Sequence, residues 1–389
     1  MRARSPATWR GVRASRSGVA TTQETFERQG ANAAAAAGGA TTPAPGGSKP
    51  AAGALTLGAR ARWLRRRGSK SGGFWYEDAR GVRVADAGTI ERIKSLAVPP
   101  AWRGVRIAPG ARSCLQAIGI DGAGRVQRVY HPSFAARRQQ SKYEKIVRFG
   151  EQLGRLRQRT NEDIAREGLP KERVLAVVVR LINDLYFRVG SEESVARYRT
   201  YGITTLRNRH LEIKPRGRLV FEFTGKHHIQ HRRILVDEEL AALARGIQAL
   251  RGRRLFQYYD EERKAPRPVT PRDVNDYIKA ATSPEFSAKD FRTWGGTLLC
   301  AVALAEIGAT EDGGQAKRNI VRAVRLVAER LGNTPAVCRK SYVHPAVFES
   351  YCRGVTLEEF RPRRERRVAG RQPDYLPEER ALLKLLRAQ

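Results

Sequence analysis

Cysteine is scarce in this chain and methionine almost absent, with four of the first and one of the second in 389 residues. Cys114, Cys300, Cys338 and Cys352 contain no Cys-x-x-Cys pair, which argues against a disulfide framework and against a zinc site and fits a reducing cytoplasm. No apolar run approaches the roughly 18 to 20 residues that a membrane-spanning helix needs. No Gly-x-x-x-x-Gly-Lys-Ser/Thr phosphate loop occurs, and no cluster of Asp and Glu suits Mg²⁺, so neither a nucleotide nor a metal cofactor is expected. Acidic residues are also short: 39 Asp plus Glu stand against 73 Lys plus Arg, a formal net charge of +34. That excess is far beyond what solubility requires. It points to a polyanionic partner, a nucleic acid above all, bound with steep salt dependence.

What is present divides the chain into four stretches. Residues 1–54 are low in complexity, with the run Ala33 to Ala37 followed by Gly, Thr and Pro, and read as a disordered basic tail. Residues 1–23 hold five arginines and no acid, a superficial likeness to a transit peptide. Residues 55–135 carry short alternating segments split by Gly and Pro (73–76, 82–84, 105–107 and 126–130), the pattern of a small antiparallel β domain. Residues 136–355 change period and read as a mainly helical catalytic domain. A charged helix is expected over 140–165 and an apolar one over 171–187, where Val174, Leu175, Val178, Leu181, Ile182 and Leu185 recur at 3–4 spacing. A strand pair over 203–213 and 218–224 supplies a β-hairpin, and residues 356–389 read as a charged, helical tail. The fold class expected is therefore α+β: an N-terminal antiparallel sheet, then helices with a small sheet.

The segment Arg339-Lys340-Ser341-Tyr342 carries the chemistry. A free phenol titrates near 10 and is a poor nucleophile at neutral pH, but among cations it is a credible attacker of a phosphodiester. Transesterification also needs cations on the non-bridging oxygens and an acid for the leaving oxygen. Three basic residues follow apolar elements rather than lying on charged faces. They are Arg188 after the apolar helix, Lys226 at a strand end in Phe223-Thr224-Gly225-Lys226, and Arg292 in Phe291-Arg292-Thr293-Trp294. Arginine's fork matches phosphate bidentately, and a lysine among cations can act as an acid.

These segments, with Ile93-Lys94-Ser95-Leu96-Ala97-Val98-Pro99-Pro100-Ala101-Trp102, Arg188-Val189-Gly190-Ser191-Glu192 and Thr204-Thr205-Leu206-Arg207-Asn208-Arg209-His210, resemble the type IB DNA topoisomerases of the small, poxvirus-like bacterial kind, from about Trp63 to Tyr351. The resemblance implies ATP- and metal-independent relaxation of supercoiled duplex DNA through a 3′-phosphotyrosyl intermediate. Tyr342 would be the nucleophile, Arg188 and Arg292 would hold the scissile phosphate, and Lys226 would protonate the 5′ oxygen. Nine residues before Tyr342 the poxvirus enzymes carry histidine; here Asn333 stands, as in the bacterial branch, with a binding role. Lys289, three residues before Arg292, matches a basic position that assists the acid step. After Lys226 the poxvirus pattern has Asp where this chain has His227; His231 fits the Gly-Lys-x-x-x-x-His pattern, and no role is assigned to His228.

Gln127, Arg128 and Tyr130 fall where the poxvirus enzymes read the major groove. Arg128 replaces an aromatic there, so the poxvirus site preference does not transfer. Arg207, Asn208 and His210 would touch backbone phosphates. The expected assembly is a cytoplasmic, nucleoid-associated monomer clamping duplex DNA, its two domains joined near 132–145. The alternatives are a tyrosine recombinase, or a basic DNA-binding protein without catalysis.

Overall fold

The computed structural model describes residues 62–357 and 374–388; the tail expected over 1–54 lies outside them. The chain divides into a unit ending at His131 and a second beginning at Pro132.

The first unit contains β1 (Leu64–Ser69), β2 (Gly73–Glu77), α1 (Ala87–Ser95), β3 (Arg103–Ile107), β4 (Leu115–Ile120) and β5 (Val126–Tyr130). The strands form one antiparallel sheet in the order β2-β1-β3-β4-β5. Leu64, Ile93, Val105, Ile107 and Ala117 make its core, with Trp102 and Val129 packed against it. Arg66 organises the Pro99-Pro100 turn by donating to the carbonyls of Val98, Pro99, Pro100 and Trp102. Strands β1 and β4 were not expected: three consecutive arginines mask the alternation of β1. Conversely, residues 82–84 form only an isolated bridge, Glu77 to Arg83, because Asp78 Oδ1 accepts from the amides of Arg80 and Val82 and folds the chain into a turn.

The second unit begins with α2 (Pro132–Glu151), α3 (Leu153–Ile164), α4 (Lys171–Leu185) and α5 (Glu192–Tyr198). Next come β6 (Leu211–Lys214), β7 (Arg218–Thr224), β8 (Gln230–Val236), α6 (Glu238–Ala249), β9 (Gln257–Asp260) and β10 (Ala265–Pro268). It ends with α7 (Pro271–Ala281), α8 (Ala288–Ile307), α9 (Gly313–Leu331), α10 (Pro335–Ser341), α11 (Pro345–Cys352) and α12 (Pro377–Arg387). The architecture is α+β, as the sequence implied. Helix α4 is buried almost all round and lies in a core with Phe149, Leu153, Phe291, Leu298 and Val302. The stretch expected as a joining segment, 132–145, is continuous helix in α2. The single helix expected over 140–165 is two helices, and Gly150 and Gly154 flank the break at Gln152.

Residues 203–213 are not one strand. Two 3₁₀ turns (Ile203–Thr205 and Asn208–His210) precede β6. Thr205 Oγ1 accepts from Gly202 N at 2.9 Å and His210 Nδ1 from Arg207 N at 3.0 Å, so side chains take the amides a ladder would have used. Strand β8 completes the sheet β6-β7-β8, and β9-β10 form a separate hairpin. Helix α12 docks through Leu382, Leu383 and Leu386, and Glu379 receives both terminal nitrogens of buried Arg157 at 2.6 and 2.8 Å.

Candidate active site

The site is assembled from chain ends of helices. Helix α4 stops at Tyr186, which turns left-handed (φ 56°, ψ 37°). That turn aims the Tyr186 carbonyl at Arg292 and brings Arg188 alongside. Helix α9 stops at left-handed Gly332 (φ 61°), and Asn333 begins the connection to α10, whose start is capped by Thr334 and Pro335. Tyr342 is the residue that caps α10.

Arg292 lies in the first turns of α8 and is 4% exposed. It donates through Nη1 to Tyr186 O at 2.6 Å and through Nη2 to Leu331 O at 2.8 Å. A guanidinium has five N–H groups, so three are not spent on these carbonyls; Nε is buried with no hydrogen bond among the described residues, and the Tyr342 side chain lies within reach of the guanidinium. Its Cζ stands 5.3 Å from the centroid of the Tyr342 ring. Arg188 donates through Nη2 to Gly332 O at 3.1 Å and to Asn333 Oδ1 at 2.6 Å. Because Arg188 can only donate, the Asn333 oxygen faces it, and Asn333 Nδ2 is left as a buried donor whose nearest acceptor is the weak Cys338 thiol, with no well-formed hydrogen bond among the described residues.

Two glycines inside α8 make the close approach possible. A Cβ on Gly295 would lie 2.0 Å from the Tyr186 ring, and one on Gly296 would lie 2.6 Å from Tyr342 O. Glycine costs a helix about 1 kcal/mol relative to alanine, so the pair trades helix stability for contact with both tyrosines. Thr297 Oγ1 closes the set, receiving His344 N at 3.1 Å and reaching Tyr342 O at 3.4 Å.

Arg188, Arg233, His231 and Arg292 line one small cavity with Tyr186, Phe187, Tyr201, Phe223 and Gly225; among the described residues no carboxylate lines it. Burial, then the neighbouring Arg292, brings the Arg188 guanidinium down to about 10. Burial, with Arg330, Arg292 and Arg188, does the same for Arg233. Burial, then Arg233, Arg188 and Arg292, push His231 down to about 4, so its ring is neutral at physiological pH. That ring fills the space between two glycines: a Cβ on Gly225 or Gly332 would meet it at 2.4 or 2.3 Å. Arg233 was not singled out from the sequence, although strand alternation from His231 puts both on one face of β8.

Lys226 lies just past Gly225 on the turn from β7 to β8, where His227 and His228 are both left-handed. It is exposed and, among the described residues, has no hydrogen bond or ion pair. Arg188 is near enough to this turn to depress His227, after burial and Lys226. Lys289 is exposed at the start of α8, where its charge acts on Lys142. Arg339 lies over the Phe348 ring, its Cζ 5.0 Å from the centroid.

The remaining expected DNA contacts are dispersed. His210 is buried and neutral, held at about 4 by burial and Arg209, and its Nδ1 serves the turn. Asn208 exchanges hydrogen bonds with Gln248, and Arg207 lies over the Tyr201 ring at 5.8 Å. In the first unit, β5 alternation puts Gln127 on the face of core residue Val129, and Arg128 and Tyr130 on the other. Gln127 Nε2 donates to Asp121 Oδ2 at 2.9 Å.

Comparison with known proteins agrees with this geometry. Residues 131–362, more than half of the chain, match the family of the eukaryotic DNA topoisomerase I catalytic core, and residues 73–121 match the bacterial DNA topoisomerase IB N-terminal domain. The chain is 31% identical to DNA topoisomerase 1B of Acanthamoeba polyphaga mimivirus, over 72% of this chain and 83% of that one. It is 23% identical to DNA topoisomerase 1B of Vaccinia virus, strain Copenhagen, over 60% of this chain and 71% of that one. Among solved structures, the XerH site-specific recombinase bound to its difH substrate covers 50% of this chain and 49% of its own at 17% identity and a TM-score of 0.32, too low to bear on the assignment. DNA is thus the partner that the charge required, and the chain belongs to the type IB DNA topoisomerases.

Proposed function

We propose that Tyr342, Arg188, Arg292, Asn333 and Lys226 carry the topoisomerase reaction in named roles. The Tyr342 oxygen attacks a backbone phosphorus and its phenolic proton passes to solvent, which the half-buried ring still reaches. A 3′-phosphotyrosyl bond forms, the bond to the 5′ oxygen breaks, and that oxygen leaves with a proton from Lys226. The remaining donors of Arg292 and Arg188, with Asn333 Nδ2, receive the two non-bridging oxygens as charge builds on them, the most effective place for fixed cations. The free 5′ end rotates, and its hydroxyl then attacks the phosphotyrosine to restore the strand. The phosphodiester energy is retained in the protein–DNA bond, so the scheme needs no ATP and no metal.

The observation that supports this reading is the Tyr342 ring lying against Arg292, which itself lines with Arg188 a cavity that has no carboxylate among its described residues. The protein acts as a monomer whose two units grip one duplex, working on the nucleoid in the cytoplasm. No described helix is long and apolar enough to cross a membrane. Relaxation of supercoiled plasmid in EDTA without nucleotide tests the reaction class; activity that returned only with Mg²⁺ would reject it. Trapping the adduct on 5′- or 3′-labelled nicked duplex and mapping the modified residue tests Tyr342. Tyr342→Phe is expected to form no adduct and to bind DNA as wild type does.

A further inference from the structure

The last carbonyls of a helix have no partner within it, and those of α10, immediately before Tyr342, are taken by one face of α2. Tyr143 Oη donates to Lys340 O at 3.1 Å, and Gln139 Nε2 reaches the same oxygen at 3.4 Å and Tyr143 Oη at 3.3 Å. Lys142 Nζ donates to Ser341 O at 2.5 Å. Residues 139, 142 and 143 are three and four apart, so they share one helix face. Some 200 residues of chain separate the two partners of each contact. A cation at a helix C-terminus also meets the negative end of the helix dipole. Lys142 supplies it: burial and Lys289 lower its ammonium to about 8, opposed by Asp290, which leaves it charged at neutral pH. The clasp extends past the nucleophile, because the Tyr143 ring packs on His344 at a centroid distance of 4.8 Å.

We propose that Lys142, with Tyr143 and Gln139, forms a clasp on α2 that holds the end of α10 and thereby positions Tyr342 for attack. Lys142 is a positioning residue: it acts on the main chain of the nucleophile's neighbour, and its role rests on Tyr342 being the nucleophile. A nucleophile misplaced by about 1 Å loses of the order of a hundredfold in rate. Partial loosening of one end of its helix should cost less.

The test is single-turnover cleavage at saturating duplex DNA, with affinity measured separately across a range of salt, on the full chain. Lys142→Ala is expected to lower the cleavage rate about tenfold, with the dissociation constant and its salt slope unchanged. Lys142→Arg, which keeps the charge and the donor, should recover most of the rate. Tyr143→Phe, which removes one oxygen and keeps the ring, should lose about threefold and serves as the test if Lys142→Ala does not fold. Wild-type cleavage rates in both Lys142→Ala and Tyr143→Phe would overturn the proposal. So would a Lys142→Ala defect confined to weaker, less salt-sensitive binding, since that is the signature of a phosphate contact. A wild-type chain that forms no adduct overturns the nucleophile assignment itself, and the clasp with it.

Discussion

Arg188 Nη2 and Asn333 Oδ1 are 2.6 Å apart, and this one hydrogen bond decides which way the asparagine amide points. Its buried nitrogen has no well-formed hydrogen bond among the described residues and faces only the weakly accepting Cys338 thiol, a cost of up to about 1–3 kcal/mol unless something better accepts from it. A non-bridging phosphate oxygen is the acceptor that the proposed mechanism supplies.

Asn333→Asp replaces that donor with a carboxylate oxygen and adds negative charge beside the phosphate. Cleavage should fall by about 10²–10³, the range for loss of one transition-state donor. Asn333→His keeps a donor and should lose less. Rapid-quench cleavage of a labelled duplex, with affinity measured in parallel, distinguishes the two; equal rates in all three proteins would remove Asn333 from the site.

Lys226 is proposed as the acid for the 5′ oxygen, a role that matters only when the leaving group is a poor one. Lys226→Met should slow cleavage of an ordinary duplex by about 10²–10⁴. The same variant should act near the wild-type rate on a duplex with sulfur at the scissile 5′ bridging position, because a thiolate leaves without a proton. If the sulfur substrate shows the same deficit as the oxygen one, Lys226 holds the phosphate instead.

Gly296 admits the Tyr342 backbone. Gly296→Ala should lower the cleavage rate at least tenfold, because the new Cβ falls 2.6 Å from Tyr342 O. Overpacking costs about 1–3 kcal/mol, partly offset by alanine's roughly 1 kcal/mol helix advantage, so the melting temperature should drop only modestly. Thermal melting alongside cleavage kinetics checks the split; a variant with full activity would show that Tyr342 has room to move.

His231 titrates near 4 in the fold against about 6.5 in an open chain. Between those values the unfolded chain holds the extra proton, so stability rises with pH through this window and is lost as pH falls toward 4. His231→Gln should reduce, by one proton's share, the slope of the urea midpoint against pH between about 4 and 6.5, the remainder coming from His210 and His344, which are also held at about 4. An unchanged slope would mean that the ring is not kept neutral between Gly225 and Gly332.

The residue types and spacing of the sequence determined the α+β class, the apolar α4, the tyrosine at a helix end and the order of basic residues around it, since each is a local signal of periodicity, capping or charge. Main-chain partners were not legible there, because they are set by pairs some 100–200 residues apart, such as Arg292 with Tyr186 O and Lys142 with Ser341 O. Local competition also hid structure: Thr205 and His210 turn 203–210 into 3₁₀ turns, and the arginines of β1 obscure its alternation. Sequence alone named the charges and the tyrosine proposed as nucleophile. Tertiary structure decided which of those charges share a desolvated cavity, because burial and approach distance depend on the packing of α4, α8 and α9 against one another.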